Sequence, residues 1–89
     1  MMYPYMILSD ETEIVHSHII EKDGIQWVEV HFERPTEEGF DMARCLLPDY
    51  TWTKREGFTD KEMERFGRFL HSNAHLIYKY AASGGIKIA

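Results

Sequence analysis

The stretch IVHSHIIEKDGIQWVEVHFER, residues 14–34, predicts a β-hairpin around which the rest of the chain is organised. Both halves are rich in Ile, Val, Phe and Trp, which suit a pleated sheet. Asp23 and Gly24 lie between the halves. A type I′ turn requires a positive φ at both central residues, and Asp and Gly tolerate this conformation best. The sequence therefore predicts a two-residue turn at Asp23-Gly24.

The turn decides which histidines share a face of the hairpin, because a one-residue slip changes every cross-strand neighbour. With a two-residue loop, His16 faces His31 across the hairpin. The apolar core face then consists of Val15, Ser17, Ile19, Val28, Val30 and Phe32. The opposite, polar face consists of Ile14, His16, His18, Ile20, Trp27, Glu29, His31 and Glu33.

A second register stays open. The segment Glu-Lys-Asp-Gly also fits a three-residue loop in which Gly24 forms a bulge, and this slip moves His16 and His18 to the face of the central valines. The first register separates apolar from polar residues more cleanly, and we favour it for that reason.

The remaining segments predict an α+β fold in a single domain over residues 1–89. Residues 2–8 predict an edge strand, because Pro4 cannot donate to a strand ladder. Residues 40–47 predict a further strand, whereas residues 50–57 are expected to be a connection in which Trp52 covers one end of the core. The expected architecture is an antiparallel, meander-like sheet of about four strands with one long C-terminal helix packed on one face.

The pairing of residues 40–47 with the hairpin is predicted from its charges. If Phe32 pairs with Ala43, the core face continues onto the new strand. Arg44 then lies beside His31, with Glu29 diagonal to it, and opposite charges on one face make this register plausible.

Residues 59–82 predict the helix. Thr59 and Glu62 have the spacing of a capping box, and Gly84 supplies a stop. Apolar residues recur at spacings of three and four, which is typical of an amphipathic helix. The apolar stripe consists of Met63, Phe66, Leu70, Ala74, Ile77 and Ala81, widened by Phe69, Leu76 and Tyr80. This face is wider than one four-stranded sheet needs, and residues 86–88, Ile-Lys-Ile, predict a short terminal strand.

Composition limits the partners and the cellular location that we expect for this protein. The 89 residues include 15 Asp and Glu against 10 Lys and Arg, so a nucleic-acid partner is not expected, since such binding needs a basic surface. The single cysteine, Cys45, excludes an internal disulfide and suits a reducing cytoplasm. No signal peptide or membrane-spanning stretch is recognised, so we expect a cytoplasmic protein without a membrane partner.

Five residues on the expected polar face form the candidate ligand-binding site: His16, His18, Glu29, His31 and Arg44. His16, His18 and His31 are also weak candidates for metal ligands, because alternate residues of a strand place two imidazoles on one side. The simpler interpretation is a polar, solvated sheet face with salt-bridging glutamates, and we favour it. Cys45 is expected to be a buried, inert side chain, because it falls on the core face.

Two classes of function follow from these features. We expect a small non-enzymatic binding or regulatory module that has no cofactor and associates with itself or with a protein partner. The alternative is a small metal-dependent enzyme that uses the histidine-rich face, with Glu29 as a base. In its general character the chain is typical of short bacterial proteins.

Overall fold

The computed structural model of the protein describes residues 1–85, which form six β-strands followed by one α-helix. The strands are β1 (Tyr3–Ile7), β2 (Glu13–His16), β3 (Ile20–Lys22), β4 (Ile25–Thr36), β5 (Gly39–Leu47) and β6 (Thr51–Glu56). The helix α1 spans Asp60–Ser83. The strands form one antiparallel sheet in the order β1-β2-β4-β5-β6, and β3 also pairs with β4. The predicted α+β class is confirmed, with six strands in place of about four; the strand predicted at residues 86–88 lies outside the described residues.

The turn of the hairpin has the predicted geometry. The φ angles of Asp23 and Gly24 are 53° and 76°, so both central residues have a positive φ, as a type I′ turn requires. Lys22 lies opposite Ile25, and Ile20 lies opposite Trp27. The two-residue loop is therefore correct at the tip of the hairpin.

On the N-terminal side of Ile20, towards the base of the hairpin, the register shifts by one residue. His16 pairs with Val30 rather than His31, because the three residues 17–19 lie across from the two residues 28–29 and form a β-bulge. The Ser17 amide donates to the Glu29 carbonyl at 2.9 Å, and the Glu29 amide donates to Ser17 Oγ at 3.0 Å. The side chain of Ser17 thus satisfies a backbone group that the bulge would leave without a partner.

The bulge reverses the predicted faces of β2. Ile14 and His16 lie on the core face and are fully buried. Val15 lies opposite His31 on the other face. The predicted pairing of His16 with His31 is wrong, and so is the assignment of Val15 to the core face, because one extra residue turns every preceding side chain over.

The two long strands β4 and β5 pair in the predicted register. Phe32 lies opposite Ala43 and Val30 opposite Cys45. Helix α1 covers this face of the sheet, and the ring of Phe66 stacks on that of Phe32 at a centroid distance of 4.3 Å. The buried residues of the helix are Phe66, Leu70, Ile77 and Ala81. No second layer covers the opposite face within residues 1–85, and we call that side the open face.

Strand β6 corrects the expectation that residues 50–57 form only a connection. Thr51–Glu56 pairs with β5 at the edge of the sheet. Most of its residues are polar because an edge strand meets solvent along one side. Trp52 does reach the core, as predicted, with its ring 5.8 Å from that of Phe32.

Local signals at both ends of the helix are confirmed. Thr59 is the N-cap and forms a reciprocal capping box with Glu62. Gly84 is the C-cap, in the left-handed conformation at φ 82°, and its amide donates to the Tyr80 carbonyl. The helix therefore begins and ends where its own sequence specifies.

An ion cluster that the sequence analysis did not identify joins the sheet to the start of the helix. Arg34 of β4 donates to Asp41 at 2.7 Å, to Asp10 at 3.3 Å and to Glu62 of the helix. Its guanidinium carbon lies 4.8 Å from the centroid of the Phe58 ring. The hydrogen bond from Arg34 is the main reason that the pKa of Glu62 is lowered, and the three carboxylates in turn raise the pKa of Arg34.

This cluster predicts a dependence of stability on acid. A carboxyl group whose pKa is lowered by folding stabilises the protein above its unfolded pKa, and this contribution is lost as the pH falls through the folded pKa. Between about pH 5 and pH 3 the unfolding free energy of Glu62→Gln should therefore fall less steeply than that of the wild type. Urea unfolding at several pH values measures the slopes. Glu64→Gln, at an exposed helix position, should keep the wild-type slope, and equal slopes for the wild type and Glu62→Gln would contradict the role of the cluster.

Two glycines should respond to alanine with opposite signs. Gly57 has φ 86°, and a Cβ there would meet Asp41 Oδ1 at 1.9 Å. Asp41 is held by Arg34, so Gly57→Ala should lower the unfolding free energy by about 2–4 kcal/mol. Gly67 lies inside the helix with open space at its Cβ, so Gly67→Ala should raise the unfolding free energy by about 0.5–1 kcal/mol. Urea unfolding measures both, and a loss in both variants or in neither would contradict the assigned geometry.

Candidate functional site

The open face carries both charged and apolar groups and has no covering layer within residues 1–85. Because successive side chains of a strand point to opposite faces, the neighbours of the buried valines point outward. The open-face residues of β4 are Trp27, Glu29, His31, Glu33 and Pro35. The open-face residues of β5 are Phe40, Met42, Arg44 and Leu46.

Charged groups occupy the middle of the open face. His31 Nε2 donates to Glu29 Oε1 at 2.7 Å, while Arg44 lies between His31 on one side and Lys54 on the other. The Nε of Arg44 is buried and has no hydrogen-bond partner within the described part of the chain. Arg44 also has no carboxylate within 4.0 Å in residues 1–85, so an added carboxylate that contacts the outer nitrogens of its guanidinium would stabilise it.

Apolar groups occupy the two ends of the open face. At the end near the hairpin turn, a cavity of about 340 Å³ is lined by Ile20, Lys22, Asp23, Ile25, Trp27 and Leu46. At the opposite end, a shallow hollow of about 550 Å³ is lined by Ile7, Glu11, Glu13, Glu33, Pro35 and Phe40. Phe40 is 63% exposed and Ile7 69% exposed. Large apolar side chains therefore meet solvent at both ends of one surface.

The structure brings together only part of the predicted ligand-binding set. Glu29, His31 and Arg44 share the open face. His16 is buried on the core face, and His18 is exposed within the bulge. Binding of a ligand by these residues stays a prediction, now with three members on one surface. Within residues 1–85, no group of three or more His, Cys, Asp and Glu side chains is placed to hold a metal ion.

His16 has the environment of a core residue. Its Nδ1 lies 2.8 Å from the carbonyl oxygen of Ser17 and must donate to it, since a carbonyl only accepts. Its ring lies 5.7 Å from that of Tyr3 and 6.3 Å from that of Tyr5. Because the ring is fully buried on the core face, His16 is not accessible from the open face.

Cys45 behaves as the sequence predicts for a buried thiol. It is fully buried on the core face opposite Val30. Burial raises the pKa of the Cys45 thiol to about 11, so the nucleophilic thiolate is scarce at neutral pH.

The apolar ends of the open face are the part of the candidate site that the sequence analysis missed. The alternation of the hairpin did place Ile20 and Trp27 on the polar face, opposite one another. Phe40 lies opposite Pro35 where β4 and β5 begin to pair. Once the pairing of these strands is known, it shows that these apolar side chains lie on the open face.

Comparisons of the chain with protein-family models, with curated proteins and with solved structures find no match. Helix α1 is the one helix within residues 1–85, and it is not apolar enough to cross a membrane.

The bulge itself can be tested through Ser17. Ser17→Ala removes the acceptor of the Glu29 amide, and leaving such a group unsatisfied costs about 1–3 kcal/mol. We expect the unfolding free energy, measured by urea denaturation, to fall by that amount. Ser72→Ala, at an exposed helix position, should change it by less than about 0.5 kcal/mol. A Ser17→Ala variant as stable as the wild type would show that this hydrogen bond does not stabilise the bulge.

Proposed function

We propose that the protein is a small non-enzymatic binding or regulatory module that acts through the open face of its sheet and associates with itself. The observation that carries this proposal is the exposure of large apolar side chains at both ends of one charged surface. Contiguous exposed apolar patches on small proteins mark interaction sites more often than chance.

The support for self-association lies in the sheet and not in the helix. The apolar face of α1 is wide, but the helix carries none of the large apolar residues that are exposed within residues 1–85. Those residues are Met1, Met6, Ile7, Ile20, Ile25 and Phe40. The sheet has two faces, and α1 covers one of them. The open face has no such layer within residues 1–85, and a copy of the chain can supply one.

The placement of the reactive groups supports a binding role over a catalytic one. The thiol of Cys45 is buried with a raised pKa, and His16 lies on the other side of the sheet from His31. A nucleophile and a base within hydrogen-bonding reach of each other are the usual requirement for covalent catalysis. As part of the same proposal we place the protein in the bacterial cytoplasm, where a lone thiol remains reduced.

The proposal predicts association that depends on the open face. The mean mass of the wild type, measured by sedimentation equilibrium, should rise from monomer towards dimer between about 1 and 500 µM. Phe40→Ser should weaken association by about tenfold or more, because it removes an exposed ring from the surface. His75→Ser, on the exposed side of the helix, is the matched control and should associate as the wild type does. A wild type that stays monomeric over the whole range would contradict the proposal.

A further inference from the structure

Charge on the open face is divided between its two halves. Glu13 of β2 lies opposite Glu33 of β4, and Glu29 follows on the same strand. The other half carries Arg44 on β5 and Lys54 on β6, which pair with each other, together with Glu56 at the exposed end of β6. Lys54 already has an acidic neighbour, because its Nζ lies 3.8 Å from Glu56 Oε1. Arg44 has no carboxylate within 4.0 Å in residues 1–85, and neither Glu13 nor Glu33 has a basic partner there.

We infer that the open face packs against the open face of a second copy, related by a two-fold axis that runs parallel to the strands between β4 and β5. This inference rests on the proposed function and specifies its partner and its geometry. The rotation places β4 of each copy over β5 of the other, so Arg44 of one copy meets the acidic residues of β4 of its mate.

Arg44 is the central contact of this arrangement. Because Arg44 and His31 are cross-strand partners, the axis places Arg44 over His31 of the second copy. Glu29 and Glu33 lie two residues to either side of His31, about 7 Å away along the strand. An arginine side chain that crosses between two sheets about 10 Å apart can reach either carboxylate, and the Arg44 guanidinium would gain the acceptor that it lacks within its own chain.

The other in-plane axis is disfavoured by the same charges. A two-fold axis perpendicular to the strands and level with His31 and Arg44 would stack β4 on β4 and β5 on β5. Glu33 would then lie over Glu29 of the second copy, and Arg44 would lie over its own equivalent. Like charges in direct opposition are repulsive at an interface. The parallel axis opposes like charges only at the exposed edges, where Glu13 lies over Glu56 of the second copy, so it fits the centre of this surface better.

Apolar contacts agree with the parallel axis. Phe40 and Pro35 are also cross-strand partners, so each Phe40 ring would cover Pro35 of the second copy. At the other end, Trp27 and Leu46 of the two copies would come together around the cavity by the turn. The axis thereby covers Phe40 at one end of the interface and Trp27 and Leu46 at the other, with the ion pairs between them, whereas Ile7 on β1 lies outside the contact.

The area predicts a reversible dimer. The axis places four strands of each copy, β2, β4, β5 and β6, over strands of the other. At about 4.8 Å spacing and roughly seven residues of about 3.3 Å each, the footprint is roughly 440 Å² per copy. The total of about 900 Å² lies in the range of weak, reversible complexes. A dissociation constant in the micromolar range is therefore expected.

Charge reversal on the two sides of the axis tests the geometry. Arg44→Glu alone and Glu33→Arg alone should each weaken self-association by about tenfold or more, measured by sedimentation velocity. An equimolar mixture of the two variants should associate to within about threefold of the wild type. In the mixed dimer both contacts join opposite charges, whereas in each homodimer both contacts join like charges. Far-ultraviolet circular dichroism establishes that each variant is folded.

The control separates this geometry from a general effect of charge. Arg44→Glu makes the acidic protein more acidic, whereas Glu33→Arg makes it less acidic, so non-specific repulsion would weaken only the first variant. Lys61→Glu and Glu64→Lys make matched changes at exposed helix positions and should associate as the wild type does. A wild type that dimerises while the mixture fails to recover would overturn the two-fold geometry alone. A wild type that remains monomeric would overturn the geometry together with the proposed function.

Discussion

The β-bulge at residues 17–19 is the constraint on which the surfaces of this protein depend. One extra residue lies between a turn that fixes Ile20 opposite Trp27 and a strand that pairs His16 with Val30. Because side chains alternate along a strand, this residue decides which half of β2 meets the helix. It buries His16 and turns Val15 towards His31. At the bulge, the hydrogen bond from the Glu29 amide to Ser17 Oγ replaces a bond of the strand ladder.

Much of the fold follows from local chemistry in the sequence. The Asp23-Gly24 turn, the capping box at Thr59 and the stop at Gly84 each rest on the conformational preferences of a few residues, and all three are present. The pairing of Phe32 with Ala43 also follows from the sequence, because long strands with matching apolar and charged faces have few good registers.

The bulge and β6 could not be derived in the same way. The run IVHSHII has apolar residues at both ends and polar ones between them, so both hairpin registers fit it in part. The structure uses one register at the tip and the other at the base. Strand β6 has only Trp52 to indicate an inward face, and a polar edge strand looks like a loop. The candidate site changed accordingly: Glu29, His31 and Arg44 stay together, whereas His16 joins the core.

Only one face of the sheet is covered by another element within residues 1–85. The helix packs on one face, and Arg34 ties its first turn to the sheet. The other face has charge at its centre and apolar groups at its ends. In the proposed dimer, Arg44 of one copy meets the glutamates of β4 of the other, which it does not contact within its own chain. We propose that self-association supplies the layer that the open face lacks.

The two tryptophans allow the most direct measurement of this claim. Trp27 lies on the open face, whereas Trp52 packs on the core beside Phe32. Single-tryptophan variants, Trp52→Phe and Trp27→Phe, report on the two sides separately through their emission maxima at increasing protein concentration. We predict that Trp27 emission shifts to shorter wavelength as the dimer forms, since its ring leaves water, while Trp52 emission stays constant. Dimer formation with an unchanged Trp27 spectrum would show that the copies meet elsewhere and would contradict the account.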